Sequence, residues 1–508
     1  MRSIVARVAV VSAVVIVSSA HVGSPDAWYE GNAGPYRVIV QVATPGVVPG
    51  VANVFTRVAG TGVHQVTVQV NRFDTLATAP PPEIAEPVEG DPGLYAAPLW
   101  VMSGGSNSVT VNVRGSLGEG KVVVPVVVVA NRRLELDPKL GGVLAAVGVF
   151  LFVGLITIIG ASVRESVLPP GETPDGRRKV KARIAMAAGT AIVALALFGG
   201  SRWWGLEDSR FNSSIYKPLE ASAAVVPNAG GETLDLRISD SVWTMRHDSA
   251  WLRKHSASRW TPLIPDHGKL MHVFMIREPD LLAFAHLHPS TADTISFPSV
   301  LPPLPAGRYR VYGDIVHESG FTQTLSTTVD LREPTRSGAK LTDTDDASHV
   351  TVAPPSGRSA ILEDGSVMTL EPGAGFVEGK DASLRFTVVG RDGKPLALEP
   401  YIGMAGHAVV SRDDGAVFVH LHPSGTISMA SQMAFTMRQP GDSIAGRLGQ
   451  RMNASGMSHS VAPIPENGVI SFPYAFPKPG NYHLWVQVKH AGRILTGPFA
   501  VEVKPATE

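Results

Sequence analysis

Two apolar segments interrupt this chain and decide what it can fold into. Residues 140–163 and 184–204 are each long enough, or nearly so, to cross a bilayer as a helix. Trp203 and Trp204 end the second segment, and tryptophan is enriched where membrane helices meet water. A chain of 508 residues is also too long for one domain. We therefore expect two transmembrane helices, with soluble domains before and after them in the sequence.

The charges around the apolar segments predict the topology. Residues 1–20 contain Arg2 and Arg7, an apolar run and then small residues, which is typical of a signal peptide cleaved after Ala20. An uncleaved anchor is the alternative. Arginine and lysine concentrate in the loop at 164–183, which predicts that this loop is cytoplasmic. The protein should then lie in the cell membrane as a two-pass protein, with both large soluble regions extracytoplasmic.

The soluble regions have the composition and alternation of β-sandwiches. The chain contains 51 glycines and 40 prolines and is rich in valine. Within residues 21–138, strands are predicted at 36–42, 66–70, 109–113 and 122–129. The expected fold class is mainly β: three extracytoplasmic Ig-like or β-sandwich domains, two transmembrane α-helices and a cleaved signal peptide.

The tetrapeptide His-Leu-His-Pro occurs twice and marks an internal repeat. It stands at 286–289 and again at 420–423, and each copy is followed by a Ser-Phe-Pro segment and a Gly-X-Tyr strand. The shared order of elements indicates two duplicated sandwich domains, at 231–333 and 351–505. The second carries a methionine-rich insertion, and residues 334–350 between the domains have the polarity of a linker.

Each copy also follows another histidine by the length of a hairpin. His272 lies 14 residues before His286, and His407 lies 13 residues before His420. Residues i and i+2 of a strand face the same side, and a paired strand can add a third imidazole. Three imidazoles suit copper or zinc. The alternative is a turn whose histidines bond the backbone. The candidate metal ligands are His272, His286 and His288, with His267 and Met271, and His407, His420 and His422, with Met404.

Two further features extend the metal hypothesis. Met429, Met433 and Met437 recur at i,i+4 in the insertion, which fits either a thioether arm for Cu(I) or an amphipathic helix that packs on the sandwich. Cleavage after Ala20 would leave His21 as the first residue, where its amine and imidazole can chelate Cu(II). The alternative is that His21 merely follows the cleavage site.

Residues 34–130 resemble the FixH-like and YtkA-like extracytoplasmic β-sandwich families. The resemblance rests on Gly34-Pro35-Tyr36, on Pro49-Gly50-Val51-Ala52 and on the glycine and tyrosine signals at 93–105. It implies a setting of copper handling and oxidase assembly. Residues 266–289 and 401–423 resemble modules with His-Leu-His-Pro in bacterial secreted and membrane proteins linked to heavy metals. The second copy has Ile402 in the place of His267.

These observations favour a membrane-anchored extracytoplasmic metal-binding protein that captures, buffers or delivers copper, with zinc as the alternative ion. Other hypotheses are an assembly factor for a protein partner, for example a respiratory oxidase, and a copper-dependent oxidative enzyme. The chain has no cysteine, which excludes thiolate ligands and cysteine nucleophiles. We find no P-loop, dinucleotide fingerprint or nucleophile triad, and we expect no enzymatic activity. The net charge is zero, so nothing indicates nucleic-acid binding.

Overall fold

In the part of the chain that the structure describes, strands form 44% and helices 20% of the residues, so the chain is mainly β as expected. The computed structural model describes residues 21–22, 26–73, 79–169, 171–228, 231–245, 260–333, 341, 343–371, 373, 375–439, 442, 446–454 and 464–506. The predicted signal peptide lies outside the described residues. The chain divides into two units, Met1–Val128 with Pro218–Glu508, and Val129–Lys217.

The smaller unit is a pair of long helices, α1 (Pro138–Glu165) and α2 (Gly176–Ser214). Both are long and apolar enough to cross a membrane. They pack closely at Gly160, where an added Cβ would lie 2.6 Å from the sulfur of Met186. Helix α2 begins earlier than the sequence predicted. The basic residues from 177 onward therefore lie in its first turns rather than in the loop predicted at 164–183.

The first β domain holds the strands predicted from its valine alternation. Its strands are β1 (His21–Val22), β2 (Asp26–Ala33), β3 (Tyr36–Ala43), β4 (Gly50–Val58), β5 (Val63–Arg72), β6 (Glu83–Pro87), β7 (Leu94–Val101), β8 (Gly105–Gly115) and β9 (Gly118–Val128). Strands β2 to β9 form one sheet in the order β2-β3-β4-β7-β6-β5-β8-β9. The inward valines of both halves, such as Val40, Val68 and Val124, share one core.

The first histidine domain follows the helical unit. Its elements are β10 (Ala221–Asn228), β11 (Gly231–Ile238), α3 (Ser241–Thr244), β12 (Leu263–Ile264), β13 (His272–Glu278), β14 (Ala283–Leu287), β15 (Ser296–Val300), β16 (Gly307–His317), β17 (Thr322–Leu331) and β18 (Ala347–Val350). One sheet runs β10-β11-β15; the other runs β12-β16-β13-β14-β18, and β17 pairs with β16. The domain exceeds the predicted range 231–333, because β10 precedes it and β18 comes from the predicted linker.

The second histidine domain repeats this arrangement. Its elements are β19 (Ser359–Ile361), β20 (Val367–Leu370), β21 (Phe376–Val377), β22 (Leu384–Val389), β23 (His407–Arg412), β24 (Val417–Leu421), α4 (Met429–Met437), α5 (Arg447–Ala454), β25 (Val469–Phe472), β26 (Gly480–His490) and β27 (Arg493–Lys504). One sheet runs β19-β20-β22-β25 and the other β1-β24-β23-β26-β27-β21. The hairpin β23-β24 with β26 corresponds to β13-β14 with β16, as the repeat predicts.

Candidate metal centre

The hairpin of β13 and β14 assembles the first histidine triad. Phe274 pairs with His286, so His272 at the start of β13 lies beside the end of β14, where His288 follows. The alternate residues Val273, Ala285 and Leu287 enter the core of the domain, which leaves the histidines on its other face. One ligand nitrogen from each of His272, His286 and His288 lies within 4.8 Å of the other two. These three buried imidazoles could hold a metal ion.

Hydrogen bonds fix the tautomers of this triad so that three lone pairs converge. His286 Nδ1 donates to Gln487 Oε1 at 2.9 Å, and His288 Nδ1 donates to Asp346 Oδ1 at 3.1 Å. His272 Nε2 faces the carbonyl oxygen of Asp266 at 3.4 Å, which leaves Nδ1 as its lone-pair nitrogen. That nitrogen lies 3.2 Å from His286 Nε2. Two lone pairs at this distance repel each other, and a cation between them removes the repulsion.

The second triad is built by the hairpin of β23 and β24. His407 Nδ1 lies 2.9 Å from His420 Nε2, and the imidazole of His422 completes the group within 4.8 Å. His422 Nδ1 donates to the carbonyl oxygen of Ile427 at 3.2 Å, and His420 Nδ1 lies 3.4 Å from Asp314 Oδ2. Their Nε2 atoms therefore carry the lone pairs. This triad is also buried and could hold a metal ion.

The two domains face each other across these triads and exchange hydrogen-bond partners. Asp314 pairs in register with His272, and Gln487 pairs in register with His407. The two positions are therefore equivalent in the repeat. Asp314 contacts His420 of the second domain, whereas Gln487 accepts from His286 of the first. The faces are related by an approximate twofold axis, and each domain completes the hydrogen bonding of the other.

Aromatic side chains hold the faces together. Tyr312 stacks on Phe418 with ring centroids 3.8 Å apart, and the equivalent Trp485 stacks on Phe284 at 4.9 Å. These residues belong to one buried cluster that both domains supply. Burial of such large rings stabilises the contact between the two histidine domains, and it excludes water from the space next to the imidazoles. The histidine cluster is thus lined by an apolar wall.

The turn before β13 adds a seventh imidazole and a carboxylate. His267 adopts φ +52° at a turn closed by reciprocal backbone bonds between Asp266 and Lys269. Asp266 accepts the backbone N–H of Ala430 at 2.9 Å, at the N-terminus of α4. With His422, these two residues form a third group within 4.8 Å. Ile402 has φ +49° in the equivalent turn of the second domain, so the site is not symmetric there.

Burial favours the neutral form of six of these imidazoles, which is the form that binds metals. Desolvation lowers the pKa of His267 and of His422 to about 4. The pKa values of four further histidines are lowered well below 6.5, first by burial and then by neighbouring imidazoles: His272, His286, His407 and His420. Desolvation also raises the pKa of Asp314 to about 7. The ring nitrogens Nε2 of His267, His288, His407 and His422 are buried and have no hydrogen-bond partner among the described residues.

The first β domain supports the second triad from outside. Glu30 donates its backbone N–H to the carbonyl oxygen of Ser424, and Thr426 donates to that of Trp28. Ile427, whose carbonyl orients His422, packs into the core of the first domain. Strand β2 therefore positions the loop that fixes the His422 tautomer.

Three of the predicted ligands are not placed in the histidine cluster by the described residues: Met271, Met404 and His21. Met271 was a candidate fourth ligand, but it packs in the core of its own domain, on the other face of the strand from His272. Met404 is buried, and its backbone closes the turn with Tyr401. The backbone of His21 pairs in parallel with Val417, whereas its side chain lies outside the described residues. The prediction for His21 therefore stays open.

The methionine-rich insertion packs as a helix. Met433, Met437 and Met452 lie against a hydrophobic cluster that contains Phe73 of the first domain and Val316 of the first histidine domain. The structure therefore favours the amphipathic-helix interpretation of these methionines over the thioether arm. Residues 455–463 lie outside the described residues.

Sequence reasoning missed the polar partners of the cluster: Asp266, Asp314, Asp346, Tyr401 and Gln487. Asp346 was assigned to a linker because of its polar neighbours, yet it receives both the backbone and the side-chain N–H of His288. Tyr401 lies 3.2 Å from His286 Nδ1 and donates to the carbonyl of Asp345. An alignment of the two repeats would have placed Asp314 and Gln487 at equivalent positions, and this is the sequence signal that could have indicated their shared role.

Comparisons with known proteins leave the function open. Residues 233–333 and 360–505 match the model of a domain of unknown function, DUF8832. No curated protein matches the chain.

Similar solved structures include a Salmonella alpha-2-macroglobulin reacted with methylamine, at 8% identity and a TM-score of 0.19, covering 94% of this chain and 24% of that one. An engineered protein is 25% identical over 18% of this chain and 20% of its own length, with a TM-score of 0.15. The titin domains z1z2 in complex with telethonin are 12% identical, with 57% and 96% covered and a TM-score of 0.12. This chain thus spans under a quarter of the first two structures, and at such scores these likenesses carry no argument.

Proposed function

We propose that this chain is a membrane-anchored extracytoplasmic protein that captures, buffers or delivers copper. The observation that carries the proposal is the first triad, in which hydrogen bonds turn three buried lone pairs toward one point. A buried polar nitrogen without a partner is costly, and a bound cation removes that cost. Burial lowers the pKa of His272 and His286 well below 6.5, so these two imidazoles are already in the neutral form that ligates metal.

Copper is preferred to zinc on the chemistry of the donors. The groups that converge are imidazoles and carboxylates, and the chain contains no thiolate. Divalent copper binds a given nitrogen site more tightly than zinc does, by the Irving–Williams order. Met433 and Met437 of α4 add nothing to this preference, because they pack against a hydrophobic cluster. The preference for copper therefore depends on the imidazoles.

Competition for the stripped protein tests this proposal. The full chain in detergent is treated with chelator, given equal Cu(II) and Zn(II), and analysed for bound metal after desalting. Copper should be retained, and His288→Ala should reduce the retained amount. His64→Ala is the matched control, because it removes an exposed imidazole from β5. Preferential retention of zinc would make this a zinc protein. Retention of neither ion would favour the alternative of a factor that binds a protein partner.

The membrane part of the proposal assigns both large soluble regions to the extracytoplasmic side, after a cleaved signal peptide. The supporting observation is the basic cluster in the first turns of α2. This cluster lies at the end of α2 that follows the loop from α1, and both helices could span a membrane. Because the chain lacks cysteine, single-cysteine variants report topology directly. A membrane-impermeant maleimide should label Ser116→Cys and Glu466→Cys in spheroplasts and Glu172→Cys only after permeabilisation. The reverse pattern would contradict the orientation.

A further inference from the structure

We infer that the two triads bind their ions as one dinuclear centre between the histidine domains. The inference rests on the proposed metal binding and goes beyond it, because the sequence predicted one histidine site in each domain and left open whether the two domains act together. Its basis is the distance between rings of different domains. The centroids of His272 and His420 are 5.4 Å apart, and those of His286 and His420 are 5.7 Å apart.

These separations match those within a single triad. His272 and His286 have centroids 5.5 Å apart, and His407 and His420 have centroids 5.2 Å apart. Phe274 also contacts an imidazole from each domain, with centroids at 4.3 Å from His286 and 4.8 Å from His420. None of the described residues therefore lies between the triads at these rings. We infer that two ions ligated here lie close together, as in two-metal sites, where the ions are typically about 3.5–4 Å apart.

The donors among the described residues limit the number of ions to two. His422 uses Nδ1 for the carbonyl of Ile427, which leaves Nε2 as its one nitrogen without a partner among the described residues. The second triad and the group of Asp266, His267 and His422 both require that nitrogen. A third ion would have to share it. His267 and Asp266 instead offer further ligands to an ion already held by the second triad.

Carboxylates offset the charge of two ions in this apolar enclosure. Asp314 contacts His420, Asp346 contacts His288, and Asp266 lies in the group with His422. Two bound cations favour the ionised form of these three carboxylates, which then supply negative charge that the surrounding aromatic wall cannot. Because Asp314 and Gln487 each bond a histidine of the opposite domain, the orientation of the ligands of each ion also depends on both domains. The pair of ions should therefore form only in the assembled chain.

Copper and spin counting on the same sample test this inference. The stripped full chain in detergent is loaded with Cu(II), desalted, and analysed for copper and for unpaired spins by electron paramagnetic resonance. We expect two coppers per chain, with a spin count below half of the copper because close ions couple. Two coppers with full spin count, or one copper per chain, would overturn the dinuclear centre and leave metal binding intact. No bound copper would overturn the proposed function as well.

Variants locate each ion of the pair. His288→Ala and His422→Ala should each leave one copper per chain, now with its full spin count, because the coupling partner is lost. His64→Ala should keep two coupled ions. If both triad variants fail to fold, as shown by circular dichroism, the ratio of spins to copper in the unchanged protein still decides the question. Loss of both coppers in one folded variant with full retention in the other would contradict two equivalent halves.

Discussion

Acidification should destabilise the folded, metal-free protein, because its free energy of unfolding should fall as the pH drops from about 6.5 toward 4. Histidines of the unfolded chain titrate near pH 6.5, whereas burial lowers the pKa of His267 and His422 to about 4. The unfolded chain therefore binds protons that the folded chain does not. Stability is complete above about pH 6.5 and declines as the pH falls toward 4. At pH 5 each of these two residues lowers the free energy of unfolding by about 2 kcal/mol relative to neutral pH.

Other titratable groups in the cluster also change the free energy of unfolding as the pH falls, some lowering it and one raising it. The four histidines whose pKa is lowered further act in the same direction as His267 and His422. Asp314 acts in the opposite direction, because its folded pKa of about 7 lets it take up a proton; this offsets about 2 kcal/mol at pH 5. The net effect is destabilising. Typical domain stabilities of about 5–15 kcal/mol leave little reserve against it.

The measurement is urea unfolding of the stripped full chain in detergent, followed by near-ultraviolet circular dichroism at pH 7, 6 and 5. The midpoint should fall steeply, and Cu(II) should restore part of it because metal binds only the folded state. Between pH 7 and pH 5, the free energy of unfolding of a variant with both His267→Gln and His422→Gln should fall by about 4 kcal/mol less than that of the unchanged protein. His64→Gln should behave as the unchanged protein. Equal midpoints at pH 7 and pH 5 would refute the reasoning.

Three further outcomes follow from the site. Asp314→Asn removes the carboxylate beside His420 and should weaken copper binding by about 10–100-fold in a chelator competition; unchanged affinity would exclude a role for this carboxylate. Trp485→Ala empties a stacked, buried position between the domains and should cost about 3–5 kcal/mol in urea unfolding, whereas Trp100→Ala, at an exposed site, should cost little. Met433→Leu should leave Cu(I) affinity unchanged, because this side chain packs in a hydrophobic cluster; a selective loss of Cu(I) would restore the thioether arm.

Local features of the sequence predicted local structure well. Strand alternation located β3, β5, β8 and β9, and the spacing from His272 to His286 predicted the hairpin that brings their imidazoles together. These inferences succeed because strand periodicity and hairpin length are encoded within a few residues. The order of elements in the repeat was also visible in the sequence.

Contacts between domains were not predictable in the same way. The sequence predicted one histidine site in each domain and left open whether the two act together, because nothing in the spacing within one domain tells which face meets the other domain. Asp346 seemed part of a linker, since its partner His288 lies 58 residues earlier in the chain. Asp314 and Gln487 hold equivalent positions but differ in chemistry, so only an alignment of the two repeats could have paired them.

The reciprocal contacts of Asp314 and Gln487 also constrain how such a site can be built at all. The two domains meet through the same face of each, which is the geometry of an isologous interface. A chain with only one such domain would leave the imidazole that bonds across the interface, His286 or His420, without its partner, and it could supply that partner only by pairing with a second copy of itself. Fusion of both copies in one chain removes the concentration dependence of that pairing. It also frees each copy to diverge, as the exchange of His267 for Ile402 shows.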